Sequence, residues 1–195
     1  MKKSFTLPDW IAHLKSGKDI YHSKELERLS GLSKEALHRA LQRMRKNKII
    51  FKIGKGLYAN SFHVPQLEQI GGYLYSPSYI SLESALFHHG VIEQAPFVLT
   101  CVTTNKTKRF HTDLGEIHYS HLKQKHFFGY TFEGQFPLAS PEKAAIDYVY
   151  LQLKAGNKPP LDEWNWENLE TGIIEDIWKE YPKSVKTYFS KFAAF

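Results

Sequence analysis

Residues 23–60 read SKELERLSGLSKEALHRALQRMRKNKIIFKIGKGLYAN, two short helical patterns followed by two β-rich runs. Ser23 opens a short helix, Lys24–Leu29, and Ser30-Gly31-Leu32 follows as a tight turn. Ser33 is the next N-cap, for a helix running to about Lys46 that Asn47 ends in the left-handed conformation. Ala36, Leu37, Ala40, Leu41 and Met44 recur at the helical period and form one apolar face. Lys34, Glu35, His38, Arg39, Gln42, Arg43 and Arg45 fall largely on the other face. Ile49–Ile53 and Leu57–Asn60 then flank Gly54-Lys55-Gly56, which reads as a hairpin. Two helices joined by a Gly-containing turn are a helix-turn-helix, and a basic hairpin after the second helix is the wing of a winged helix.

In that arrangement the second helix enters the major groove of double-stranded DNA. Arg bonds bidentately to guanine and Gln to adenine, so Arg39, Gln42 and Arg43 are the candidate base readers. Ser33, Lys34 and His38 stand at the helix entrance. Lys46, Lys48, Lys52 and Lys55 suit phosphate contacts, which fix register without specifying sequence. If about five phosphates are neutralised, log affinity falls against log salt with a slope of roughly −4 to −5. The alternative for this module is a winged helix used for protein contacts.

Before this run, Asp9 is placed to cap a first helix through Trp10, Ile11, Leu14 and Lys15, and Ile20-Tyr21 reads as a short extended piece. Charge marks off the same region. Residues 1–60 hold 14 Lys/Arg and 5 Asp/Glu; residues 61–195 hold 12 and 15; the net charges, +9 and −3, sum to the +6 of the whole chain. This asymmetry suggests a module that meets a polyanion, joined to a body with another role. At 195 residues the chain has room for a winged helix-turn-helix over 1–62 and a second domain over 63–195. Its hydrophobic content of 42% supports packed cores, and its single Cys excludes an intramolecular disulfide framework and fits a reducing compartment. No stretch approaches the roughly 20 apolar residues of a membrane helix, and no signal peptide is read at the start, so a cytoplasmic protein without membrane contact is expected.

Past Asn60 a connector leads to Gly71-Gly72. A helix is expected over Leu82–His89, strands over Phe97–Thr103, Phe110–Thr112, Glu116–Ser120 and Tyr130–Phe132, and a strong helix from the Ser140-Pro141 cap to near Gly156. Two further helical stretches follow, around Trp166–Leu169 and over Ile174–Phe192. The class is therefore α+β, a winged helix followed by a mixed α/β domain with a small antiparallel sheet. Residues 161–180 set Asp162, Glu163, Glu167, Glu170, Glu175, Asp176 and Glu180 among Trp164, Trp166 and Trp178. This reads as a solvated helix face with Trp turned inward, or as a surface for a basic partner.

The segments YISLESALFHHGVIEQAP (79–96) and FPLASPEKAAIDYVYL (136–151), behind the basic N-terminal module, resemble the AbiEi family of bacterial antitoxins and transcriptional regulators over roughly residues 8–155. The resemblance implies a DNA-binding antitoxin that represses its own operon at inverted repeats. It also implies a cognate nucleotidyltransferase-like toxin as a possible partner, with direct contact left open.

Enzymatic chemistry finds little purchase. No Asp or Glu is followed two residues on by Lys, as restriction-type nuclease sites require, and no P-loop, Gly-x-Gly-x-x-Gly or Gly-x-Ser-x-Gly occurs. The histidines between His111 and His126 lie on strand and loop; His118 and His121 would face opposite sides of a strand. Neither a metal nor a cofactor is expected. Glu83 and Asp147, on predicted helices, are read as anchors of buried hydrogen bonds, with Lys143 a possible partner of either. The expected function is a non-enzymatic DNA-binding regulator and antitoxin autorepressor. A protein-binding adaptor is the alternative, and a nuclease with a non-standard site, built on Glu83 or Asp147, comes third.

Overall fold

The computed structural model describes residues 5–192. They group into two compact units. One comprises the residues up to Ile70 with Phe110–Gly115, the other Gly71–Arg109 and the residues from Glu116 onward. The class is mixed α+β, with eight α-helices and two sheets, of three and six strands, among the described residues.

The first unit runs α1 (Leu7–Lys15), β1 (Ile20–His22), α2 (Ser23–Ser30), α3 (Lys34–Lys46), β2 (Ile50–Gly54) and β3 (Leu57–Asn60). The strands form an antiparallel sheet in the order β1-β3-β2. Trp10, Leu14, Tyr21, Leu26, Leu37, Leu41, Met44 and Ile50 make its core, to which every one of the three helices contributes. A buried side chain of this size contributes about 1.5–3 kcal/mol relative to exposure, so this cluster is the main term holding the unit together. Asn60 is fully buried and joins β3 to the end of α1, donating from Nδ2 to the carbonyls of Leu14 (2.7 Å) and Lys18 (3.0 Å).

Several local expectations are corrected. Asp9 does not precede its helix; its carboxylate, inside the first turn, accepts from the Thr6 backbone N–H at 2.8 Å, and Thr6 is the N-cap. Pro8 tolerates this early start because a first-turn residue needs no backbone donor. Ser23 likewise lies within its helix, with His22 as N-cap and Glu25 accepting from the His22 N–H at 3.0 Å. Gly31 ends α2 with φ 63°, the left-handed turn in which Gly carries no Cβ penalty. The left-handed residue after α3 is Lys48 (φ 55°), whereas Asn47 keeps φ −87°.

The six-stranded sheet has the order β6-β7-β5-β4-β9-β8, from β4 (Ser78–Ile80), β5 (Leu99–Thr103), β6 (Lys108–Thr112), β7 (Gly115–His121), β8 (Tyr130–Glu133) and β9 (Phe136–Ala139). The small antiparallel sheet expected from the sequence is replaced by this six-stranded mixed one: β5 pairs with β7, and β4 with β9, in parallel. Two short strands account for the difference. β4 is only three residues long and directly precedes a helix, and Pro137, which cannot donate to a ladder, disguises β9. Helices α5 (Leu82–His88) and α6 (Pro141–Lys154) pack against each other, and α6 also meets α7 (Thr171–Trp178) and α8 (Lys183–Phe189). The single helix expected over 174–192 is two, because Pro182 supplies no N–H and restrains Tyr181. Helix α4 (Leu67–Leu74) lies across the division between the units.

Candidate functional site

Helix α3 buries Leu37, Ala40, Leu41 and Met44. The apolar period fixes its rotation, so the residues between these positions face outward. Lys34, His38, Arg39, Gln42, Arg43 and Lys46 are all exposed, as are Lys48 just past the helix and Lys52 and Lys55 on the β2–β3 hairpin. Ser33 is exposed too, but its hydroxyl is engaged: Oγ accepts from the Ala36 N–H at 3.3 Å and caps the helix. His38 and Gln42, one turn apart, lie with their Nε2 atoms 2.9 Å apart. Arg39, Arg43, Lys46, Lys52 and Lys55 make no ion pair among the described residues.

Arg45 is held differently from its neighbours. Its Nε and Nη2 donate to the two carboxylate oxygens of Asp113, at 2.6 and 2.5 Å. The same carboxylate accepts from the backbone N–H of Lys52 at 2.8 Å, so one side chain fixes both the end of α3 and the hairpin. Hydrogen bonding to Arg45 holds the Asp113 carboxyl below the usual carboxylate range and raises the guanidinium pKa. A cavity of about 470 Å³ lies here, lined by Gln42, Arg45, Lys46, Lys48, Phe51 and Asp113. Nothing local in the sequence marks Asp113, since the contact spans 68 positions.

The second unit contains a buried polar cluster. Lys143 and Asp147, one turn apart on α6, form an ion pair with both side chains at 0% exposure. Tyr79 donates to Asp147 Oδ2 at 2.8 Å, Ser81 to the same oxygen at 3.1 Å, and Tyr181 to Oδ1 at 2.7 Å. The Lys143 ammonium also donates to the hydroxyl oxygens of Tyr79 (2.7 Å) and Tyr181 (3.0 Å) and lies over the ring of Phe128, 5.1 Å from its centroid. Burial lowers the Lys143 pKa and raises those of both tyrosines. With three acceptors for the ammonium and four donors for the carboxylate, the two charges are compensated although both side chains are buried. This cluster is an anchor, its polar side chains all buried. It also unites the two segments quoted for the family resemblance, Tyr79 and Ser81 from one and Lys143 and Asp147 from the other.

The remaining candidates fall apart from one another. His118 Nε2 lies 3.2 Å from Glu116, whereas His121 Nδ1–H donates to the Asn105 carbonyl at 2.9 Å. Among the described residues no three of His, Cys, Asp and Glu are grouped as a metal ion would require. Trp164 and Trp178 are buried, and the seven acids interleaved with the tryptophans of residues 161–180 are exposed. No helix among the described residues is long and apolar enough to cross a membrane. No protein-family model matches the chain, and no curated protein matches it.

Proposed function

We propose that the first unit is a winged helix and that the protein is a sequence-specific double-stranded-DNA-binding transcriptional regulator. The observation that carries this reading is the outer face of α3: Lys34, His38, Arg39, Gln42, Arg43 and Lys46 are exposed together on a helix whose opposite side is locked into a core. The element order of this unit, with β2 and β3 after α3, supports the winged-helix assignment. In the proposed complex α3 occupies the major groove, with Arg39, Gln42 and Arg43 at base edges. Lys46, Lys48, Lys52 and Lys55 contact phosphate. The resemblance to AbiEi proteins extends the reading to an antitoxin that represses its own operon from the cytoplasm. Gel shifts test the DNA half: a duplex from upstream of its own gene should bind more tightly than a shuffled duplex, and Arg39→Ala should narrow the gap. The antitoxin half is tested by expressing the adjacent gene with and without this one; rescue of growth arrest supports it.

A further inference from the structure

A cavity of about 540 Å³ in the second unit shares no lining residue with the DNA-contacting face proposed above. Its lining includes the carboxylates of Glu83, Glu93 and Glu163 and the rings of Phe97, Tyr148 and Trp164, and no Lys, Arg or His. The volume is that of a ligand pocket. The walls are built rather than incidental. Trp164 is 7% exposed, and its ring lies 5.9 Å from that of Tyr148 and 6.4 Å from that of Phe189. The segment carrying Trp164 is tied to the segment after α5 by two hydrogen bonds, Asn165 N–H to the Val91 carbonyl and the Asn168 side chain to the Gly90 carbonyl, both 2.8 Å. Glu83 is half-buried, and the loss of water raises its carboxyl pKa, so a cation placed beside it recovers electrostatic stabilisation.

Phe97 indicates what carries the cation. It is 97% exposed beside this cavity, the most exposed large apolar side chain among the described residues. A free small cation gains little from a ring standing in water, whereas a protein surface buries it as an anchor. We infer that this cavity receives an Arg or Lys side chain of a protein partner, between carboxylates and aromatic faces, with Phe97 packing on the partner's flanking apolar residues. Guanidinium and ammonium groups are favoured over such rings.

The test is fluorescence anisotropy on the full chain with a labelled Gly-Leu-Leu-Arg-Leu-Leu-Gly peptide, and with the same peptide carrying citrulline, a neutral isostere, in place of Arg. Saturable binding of the Arg peptide, about tenfold weaker with citrulline, is expected. Glu93→Gln and Glu163→Gln, both at exposed positions, should each weaken it about two- to fivefold. Phe97→Ala should weaken the peptide without changing competition by arginine amide. Absence of saturable binding, or equal binding of the citrulline peptide, overturns the proposal. Arginine amide competing at the same concentration as unlabelled peptide overturns the protein partner in favour of a small cation.

Discussion

Asp113 accepts both guanidinium hydrogen bonds of Arg45 and, with the same carboxylate, the backbone N–H of Lys52. Arg45 is thereby occupied, while Arg39, Arg43 and Lys46 of α3 make no ion pair among the described residues. Asp113→Asn removes the charge that holds it. One more cation becomes available to phosphate, so the log–log salt slope for DNA should steepen by about one, read by anisotropy titrations at several salt concentrations. The pair is partly exposed, so the accompanying loss of stability should be modest, about 1 kcal/mol, in urea unfolding.

Arg39 and Lys55 should separate specificity from affinity. Arg39→Ala should cost about 1–3 kcal/mol on the preferred duplex and little on a shuffled one, if its guanidinium reads a base. Lys55→Ala, on the hairpin turn, should weaken both duplexes alike. Parallel titrations of the two duplexes with each variant check this.

The buried pair on α6 yields a stability prediction. Lys143→Met leaves the Asp147 carboxylate buried without its counter-charge and should cost about 3–5 kcal/mol. Lys143→Met combined with Asp147→Leu should lose less than the single change, because no charge is then stranded. Urea unfolding followed by circular dichroism distinguishes the two.

His126 should make stability depend on pH. It is 1% exposed, stacks on Tyr181 with ring centroids 4.1 Å apart, and burial pulls its pKa down to about 4. An unfolded histidine protonates near 6.5. Between these values the unfolded chain binds the proton and the folded chain does not. Stability is therefore full above about pH 6.5 and falls as pH drops towards 4, by on the order of 3 kcal/mol. His126→Phe keeps a ring against Tyr181 and should flatten this part of a melting-temperature profile.

The sequence disclosed different amounts of the two units for physical reasons. In α3 the apolar period and the basic face are both local, so Leu37, Leu41 and Met44 announce the core while Arg39 and Arg43 announce the surface. The polar anchor was only half legible: Lys143 and Asp147 are one turn apart, but Tyr79 and Tyr181 reach them from 68 and 34 positions away from Asp147. Asp113 carried no local signal. The mixed sheet was hidden because β4 is only three residues long and β9 contains a proline. Helix caps shifted where a polar residue inside the first turn, such as Asp9 or Ser23, resembled the residue before it.

The most direct test is the affinity of the full chain for a labelled duplex from upstream of its own gene and for a shuffled duplex of equal composition, titrated between 50 and 200 mM salt. The expected result is tighter binding to the upstream duplex, with a log–log slope of about −4 to −5. Weak binding, equal for the two duplexes, would contradict the assignment of α3 as a reader of DNA sequence.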